Sequence, residues 1–201
     1  APSMFNALRH HQKETLPNVA TIADGIAVKT PGDLTYDLCS RYVDDIVTVT
    51  DDEISTAILT LIEQQKLIAE GAGAVSVAAV LFNKIPVEGR SVVCLVSGGN
   101  IDVTILSRVI SRGLLKAGRS ADITIELLDK PGQLSGVSDI IARAGGNVVS
   151  VYHDRGDLDT DINGCYLRLV METRDHEHVR QIEKALTDAG YTLVKKERTI
   201  G

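Results

Sequence analysis

The sequence predicts an α/β chain in two parts: an incomplete parallel sheet with helices, then a ferredoxin-like β-α-β-β-α-β domain. Three observations carry this. The stretches from Val137 to Val151 and from Val179 to Val194 repeat one pattern, helix then Ala-Gly then strand, with Ala144-Gly145 matching Ala189-Gly190. Two such halves with right-handed crossovers give an antiparallel sheet with both helices on one face. Ahead of them, Ser91-Val-Val-Cys-Leu-Val96 is a continuous apolar run with β-branched residues, the pattern of a strand buried on both faces of a parallel sheet. Between the two patterns, Gly113 and Gly118 with polar neighbours read as a linker ending near Ser120. The expected domains are therefore 1–118 and 119–201.

The first part opens with Met4, Leu8 and His11 on one helical face, ending near Pro17. A loop with Asp24-Gly25 and Pro31-Gly32 follows, then a short helix from Leu34 to Tyr42 and a short buried strand over Asp45 to Val49. Thr50-Asp-Asp-Glu53 is a capping box, in which a hydroxyl and a carboxylate satisfy free backbone donors at a helix start. Ile54, Ala57, Ile58, Leu61, Ile62 and Ile68 mark the apolar face of that helix, and Gly71-Ala-Gly73 is expected to break it. Ala74 to Phe82 is apolar all round, as a buried helix is. Ile101 to Lys116 is a further helix.

In the second part Ile123, Ile125 and Leu127 alternate with polar residues, which describes a half-buried strand. Asp129-Lys-Pro-Gly132 is a turn. Leu134, Val137, Ile140, Ile141 and Ala144 form a helix stripe stopped by Gly145-Gly146. Val148 to Tyr152 is a strand, Asp154 to Asn163 a polar loop, and Cys165, Leu167, Leu169 and Met171 alternate in a third strand. Val179, Ile182, Leu186 and Ala189 form a second helix, and Tyr191, Leu193 and their neighbours the last strand. The second face of this sheet carries apolar residues, so pairing with another copy is expected.

Composition sets the limits. With 44% hydrophobic and 24% charged residues the 201-residue chain is globular, and with no Trp and two Phe its core is aliphatic. A net charge of −6 lacks the basic footprint of a nucleic-acid binder. No stretch reaches the roughly 18 apolar residues of a membrane span. Cys39, Cys94 and Cys165 are odd in number and without a CxxC, so they read as reduced, mostly buried thiols of a cytoplasmic protein. The chain begins Ala-Pro-Ser-Met with neither an initiator Met nor an apolar signal segment, which reads as a piece cut from a longer chain.

Three segments could carry chemistry. Ser97-Gly98-Gly99-Asn100 follows a buried strand and precedes a helix, where ligands of open α/β sheets bind and where glycines permit close backbone approach. A plain strand-to-helix turn would look similar. Glu70-Gly71-Ala-Gly73 is Gly-rich but lacks the Lys and Ser/Thr of a P-loop, so a helix junction is the simpler reading. Asp129-Lys-Pro-Gly132-Gln-Leu134 offers backbone donors at a helix start, or is an ordinary turn. His10-His11 and His176-Glu-His178 lack the i, i+4 spacing of a helical zinc site and read as surface residues; no metal site is expected.

Taken in order, "TIADGIAVKTPGDLTYDL", "VDDIVTVTDDEI", "EGAGAVSVAAVL" and "VCLVSGGNID" resemble the C-terminal half of the catalytic domain of pyridoxal-phosphate-dependent threonine dehydratases, a family that includes serine racemase. The resemblance covers about Ala1 to Ile110. The remainder resembles an ACT domain, a small-molecule sensor appended to amino-acid enzymes, through "DKPGQL" and "GGNVVSV". The resemblance implies a partial fold-type-II catalytic domain and threonine ammonia-lyase chemistry: β-elimination of threonine to 2-oxobutanoate and ammonia on pyridoxal 5'-phosphate. It implies that Ser97 hydrogen-bonds the pyridine nitrogen, that Gly98, Gly99 and Asn100 line the cofactor pocket, and that Glu70 lies near the ring. It also implies an amino-acid effector, such as isoleucine or valine, at an ACT–ACT interface formed by Asp129, Gly132, Leu134 and Asn147, in a homodimer or homotetramer. The family's Schiff-base lysine, in a Ser-Phe-Lys-type segment, and its tetraglycine phosphate loop have no counterpart in these 201 residues. The chain alone is therefore expected to be inactive. Two other readings fit the same residues: a stand-alone amino-acid-sensing and dimerisation module, and a serine dehydratase or racemase of the same fold.

Overall fold

The computed structural model describes residues 1–155 and 162–194. The chain forms two compact units, Ala1–Gly113 and Leu114–Gly201, which divide at the first glycine of the expected linker. No helix among the described residues is long and apolar enough to cross a membrane.

The first unit is built on helices. These are α1 (Ser3–His10), α2 (Asp33–Tyr42), α3 (Asp51–Thr60), α4 (Gly71–Leu81) and α5 (Val103–Lys116), the last of which runs through the unit boundary and contains Gly113. Helix α3 starts at the predicted capping box. Glu53 N–H donates to Thr50 Oγ1 at 3.2 Å and Thr50 N–H donates to Glu53 Oε2 at 2.8 Å. Lys84 Nζ adds an ion pair to Glu53 at 2.8 Å. That side-chain bond, with the backbone bond at Thr50 behind it, holds the Glu53 carboxyl below its ordinary range. The core gathers Ile54, Ala57, Ile58 and Leu61 of the α3 stripe with Ala69, Ala74, Ala78 and Val109.

Three expectations fail in this unit. The stripe holds through Ile62 and then stops, because α3 loosens into one π-helical turn (Leu61–Gln65) and ends at Lys66 in a left-handed conformation; Ile68 lies beyond it, 57% exposed. Gly71 and Gly73 do not break a helix but begin α4. Asp45–Val49 and Ser91–Val96 form no strand, and Val93 and Leu95 are 94% and 75% exposed. An apolar run reports a preference for burial, whereas a strand also needs a neighbour to complete its ladder. No described residue supplies one. The second run is tethered to α4 instead: Ser76 Oγ donates to Leu95 O at 2.8 Å, and Cys94 Sγ lies 3.8 Å from Ser76 O.

The second unit follows its predicted pattern closely. Strands β1 (Ser120–Leu128), β2 (Asn147–Asp154), β3 (Gly164–Glu172) and β4 (Thr192–Val194) form an antiparallel sheet in the order β2-β3-β1-β4. Helices α6 (Gln133–Arg143) and α7 (His176–Asp188) make the two crossovers. The alternating residues Ala121, Ile123, Ile125, Leu167, Leu169 and Met171 pack against Val137 and Ile141 of α6 and Ile182 and Leu186 of α7. Gly145 and Gly190 stop the helices with φ of +88° and +89°, the left-handed region that favours glycine. Most of the expected polar loop, residues 156–161, lies outside the described residues.

The other sheet face carries apolar residues, as expected, together with an ion pair. Arg168, on that face, forks onto Asp122 at 2.8 and 2.5 Å and lies 5.6 Å from the Tyr152 ring centroid. Thr124 and Glu126 share the face in register with Arg168 and Tyr166. Val170, Val194, Leu128 and Tyr152 lie among them on the same face, so the face is mixed.

His178 also departs from its expected surface position. It is fully buried, because it sits one turn before Ile182 on the apolar stripe of α7. Its Nδ1 accepts from Arg174 N–H at 3.1 Å, and its Nε2 lies 2.8 Å from Ala144 O. The imidazole thus joins the start of α7 to the end of α6.

Two predictions follow from this packing. Leu169→Ala should destabilise the second unit by about 2–5 kcal/mol, read from faster hydrogen exchange of the β1 and β3 amides. Asp175 caps α7 by accepting from His178 N–H at 2.8 Å. That bond is the main reason its carboxyl titrates below the ordinary range, so its contribution to stability is complete above about pH 4 and is lost as the pH falls further. Asp175→Asn keeps a capping oxygen and should flatten that acid-side loss in pH-dependent unfolding of α7.

Candidate functional site

The Ser97-Gly98-Gly99-Asn100 segment and the Glu70-Gly71-Ala-Gly73 segment come together in the structure. Glu70 N–H donates to Gly98 O at 3.1 Å. In return Asn100 N–H donates to Glu70 Oε2 at 3.2 Å. The two bonds clasp the loop from both ends across the start of α4.

The glycines are there because there is no space for a side chain. A Cβ on Gly98 would lie 2.6 Å from the Glu70 carboxylate, and one on Gly73 would lie 2.7 Å from Gly98 O. A Cβ on Gly99 would come within 2.9 Å of Ile68 O, and one on Gly71 would strike the Ile22 carbonyl. Four glycines therefore let three backbone segments stack at the head of one helix.

Beyond the clasp, Asp102 sets the start of α5. Its Oδ1 accepts from Thr104 N–H at 2.7 Å and from Ile105 N–H at 3.3 Å. The bond from Thr104 is the main cause holding its carboxyl below the ordinary range. The helix expected from Ile101 starts at Val103 instead, and an Asp just before an apolar helical stripe is the sequence signal for that cap.

Ser97 stands exposed at the edge of the loop, and its hydroxyl makes no hydrogen bond to a described residue. The site thus offers a free hydroxyl at the edge of a loop whose glycines pack closely on Glu70 and Ile68. Such a hydroxyl can donate to or accept from a ring nitrogen of a bound group. The carboxylate of Glu70 is already committed to Asn100 N–H, so it braces the loop.

The second predicted cluster is only partly assembled. Asp129 and Gly132 lie on the β1–α6 turn, with Gly132 at φ +90°, and Leu134 follows on the first turn of α6, 46% exposed. Asn147 lies elsewhere. Strands β1 and β2 run in the same direction, so the first residue of β2 sits at the opposite end of the sheet from the turn that leaves β1. Eight residues of strand put them roughly 25 Å apart. Asn147 Nδ2 donates to Glu172 Oε2 at 2.8 Å there.

Residues 1–98 match the family described as pyridoxal-phosphate dependent enzymes. Over nearly its whole length the chain is similar to proteins named L-threonine ammonia-lyase. It is 48% identical over 192 residues to an L-threonine ammonia-lyase of Thermotoga maritima and 40% identical over 193 residues to one of Geobacter sulfurreducens, each match covering 96% of this chain. The chain spans about half the length of these curated relatives, 48% of each. Among solved structures, the processed form of threonine deaminase isoform 2 from Solanum lycopersicum aligns with a TM-score of 0.50 at 35% identity, over 55% of this chain and 33% of that one. No lysine of the chain stands in a Ser-Phe-Lys segment, and Lys84 is paired with Glu53.

The clasp makes a direct prediction. Glu70→Ala removes a charged acceptor worth about 1.5–3 kcal/mol, so exchange of the Asn100 amide should rise by about tenfold or more. Gly98→Ala should do the same by displacing Glu70. Gly89→Ala, with nothing within 4 Å of its Cβ, should leave that amide unchanged.

Proposed function

We propose that residues 1–118 form one wall of the cofactor pocket of a pyridoxal-phosphate-dependent threonine ammonia-lyase, which converts L-threonine to 2-oxobutanoate and ammonia. The observation that carries this is the Ser97–Asn100 loop, clasped by Glu70 with the Ser97 hydroxyl left free. The similarity to L-threonine ammonia-lyases over 96% of the chain supports it.

The bound cofactor supplies an electron sink for the β-elimination. Ser97 holds its ring nitrogen by a hydrogen bond. A hydroxyl keeps its own proton, so the ring stays less charged than beside a carboxylate, and this weaker sink suits elimination over transamination. Gly98 and Gly99 keep the backbone close to the ring face, and Asn100 closes the loop onto Glu70. The exposed run over Val92, Val93 and Leu95 supports the same reading: it becomes a strand when the lysine-bearing half of the domain supplies its neighbours.

We propose that residues 119–201 are an ACT-type regulatory domain that binds an amino acid at the Asp129–Leu134 turn. The β-α-β-β-α-β order and the left-handed Gly132 at the start of α6 support this. Since Asn147 lies far from that turn within one chain, it completes the site only from a second copy, in a homodimer or homotetramer. The effector acts by favouring one arrangement of the copies over another.

The chain mixed with threonine and pyridoxal phosphate should release no steady 2-oxobutanoate. Adding the lysine-bearing half of a relative's catalytic domain should restore release, and Ser97→Ala in this chain should then lower kcat by at least about tenfold, the equivalent of one hydrogen bond. Steady release from the chain alone, or restored release indifferent to Ser97→Ala, would overturn the assignment.

A further inference from the structure

The far end of the second unit's sheet brings together three side chains that the sequence keeps well apart. Asp129 follows β1, His153 is near the end of β2, and Cys165 is near the start of β3. One carboxylate oxygen, one imidazole nitrogen and the thiol sulfur all lie within 4.8 Å of one another.

A single backbone irregularity makes this possible. Asn147 and Val148 pair with Glu172 and Met171, but the register then slips by one, so that Ser150 pairs with Val170 and His153 with Leu167. Without that bulge at Val149, His153 would pair with Tyr166 and point to the opposite face, since side chains alternate along a strand. With it, His153 lies on the helix-covered face beside Leu167 and Cys165. Bulges commonly re-aim one side chain in this way.

We propose that Asp129, His153 and Cys165 bind a borderline-soft divalent metal ion of the Zn²⁺ or Co²⁺ type. A thiolate, an imidazole and a carboxylate form a donor set suited to such ions and less suited to Mg²⁺ or Ca²⁺. His153 Nε2 and Asp129 Oδ1 are 3.6 Å apart, within the roughly 3.3–3.8 Å between neighbouring ligands that tetrahedral bonds of 2.0–2.3 Å imply. The sulfur needs only a small side-chain adjustment to join them. Arg155 forks onto the carboxylate, with Nε at 2.9 Å from Asp129 Oδ2 and a second guanidinium nitrogen at 3.3 Å from Oδ1; a metal on Oδ1 displaces the longer bond, and the shorter one orients the carboxylate as an outer partner. Three protein donors leave a fourth position for water. Burial, with the Asp129 charge beside it, raises the Cys165 thiol, so the apo site holds a proton on sulfur. Binding forms the metal–sulfur bond and releases that proton to solvent.

Metal-free chain titrated with Co²⁺ tests this, with sulfur-to-metal charge-transfer absorption as the readout and circular dichroism as the check on folding. One Co²⁺ per chain should bind with that absorption and be displaced by Zn²⁺. Cys165→Ser should abolish the absorption. His153→Gln, which leaves the core untouched, should weaken binding at least tenfold. No thiolate absorption in the wild-type chain would overturn the proposal. So would absorption persisting in Cys165→Ser, which would place the metal at Cys39 or Cys94, or wild-type affinity in His153→Gln. The titration uses neither cofactor nor amino acid, so its outcome is independent of the lyase reading.

Discussion

Gly98 and Glu70 approach so closely that one added carbon atom would sit 2.6 Å from a carboxylate. The candidate site depends on that constraint. The Glu70 backbone N–H donates to Gly98 O and its side chain accepts from Asn100 N–H, and those bonds fix the path of the chain from Ser97 to Asn100. One oxygen of the Glu70 carboxylate accepts from the Asn100 N–H, which holds that side chain against the loop. What remains at the loop edge is a neutral hydroxyl. The chemistry proposed for the site is therefore set by which group the fold consumes and which it leaves over.

The second unit shows the same economy with a different device. Its regular alternation builds the aliphatic core beneath α6 and α7, and a regular β2 would turn His153 to the opposite face of the sheet. One extra residue at Val149 reverses the faces of the rest of the strand. A core feature and a candidate metal site thus differ by a single step of register.

Legibility in the sequence followed the range of the interactions. Local signals held: the Thr50–Glu53 box, the α6 and α7 stripes, and the glycine stops at Gly145 and Gly190 were all readable. They depend on neighbours within a turn or a strand. The Ser97–Asn100 loop was readable as a candidate, but its clasp to Glu70 was not, because nothing in the spacing says which residue faces Gly98. Ser91–Val96 and Asp45–Val49 were read as strands from their apolar content, yet pairing requires partners that no described residue provides. His178 was misplaced because an isolated histidine on an apolar stripe was weighed only as a ligand or a surface residue. The Asp129, His153 and Cys165 cluster was invisible, since a bulge leaves no mark in an alternating pattern.

The most direct measurement concerns the protonation of the cofactor ring. Pyridoxal phosphate labelled with ¹⁵N at the ring nitrogen would be bound to this chain together with the lysine-bearing half, and its chemical shift recorded. If Glu70 is committed to Asn100 and Ser97 meets the ring, the shift is that of an unprotonated pyridine nitrogen. A pyridinium shift would mean that a carboxylate reaches the ring, and would contradict the role given to both residues.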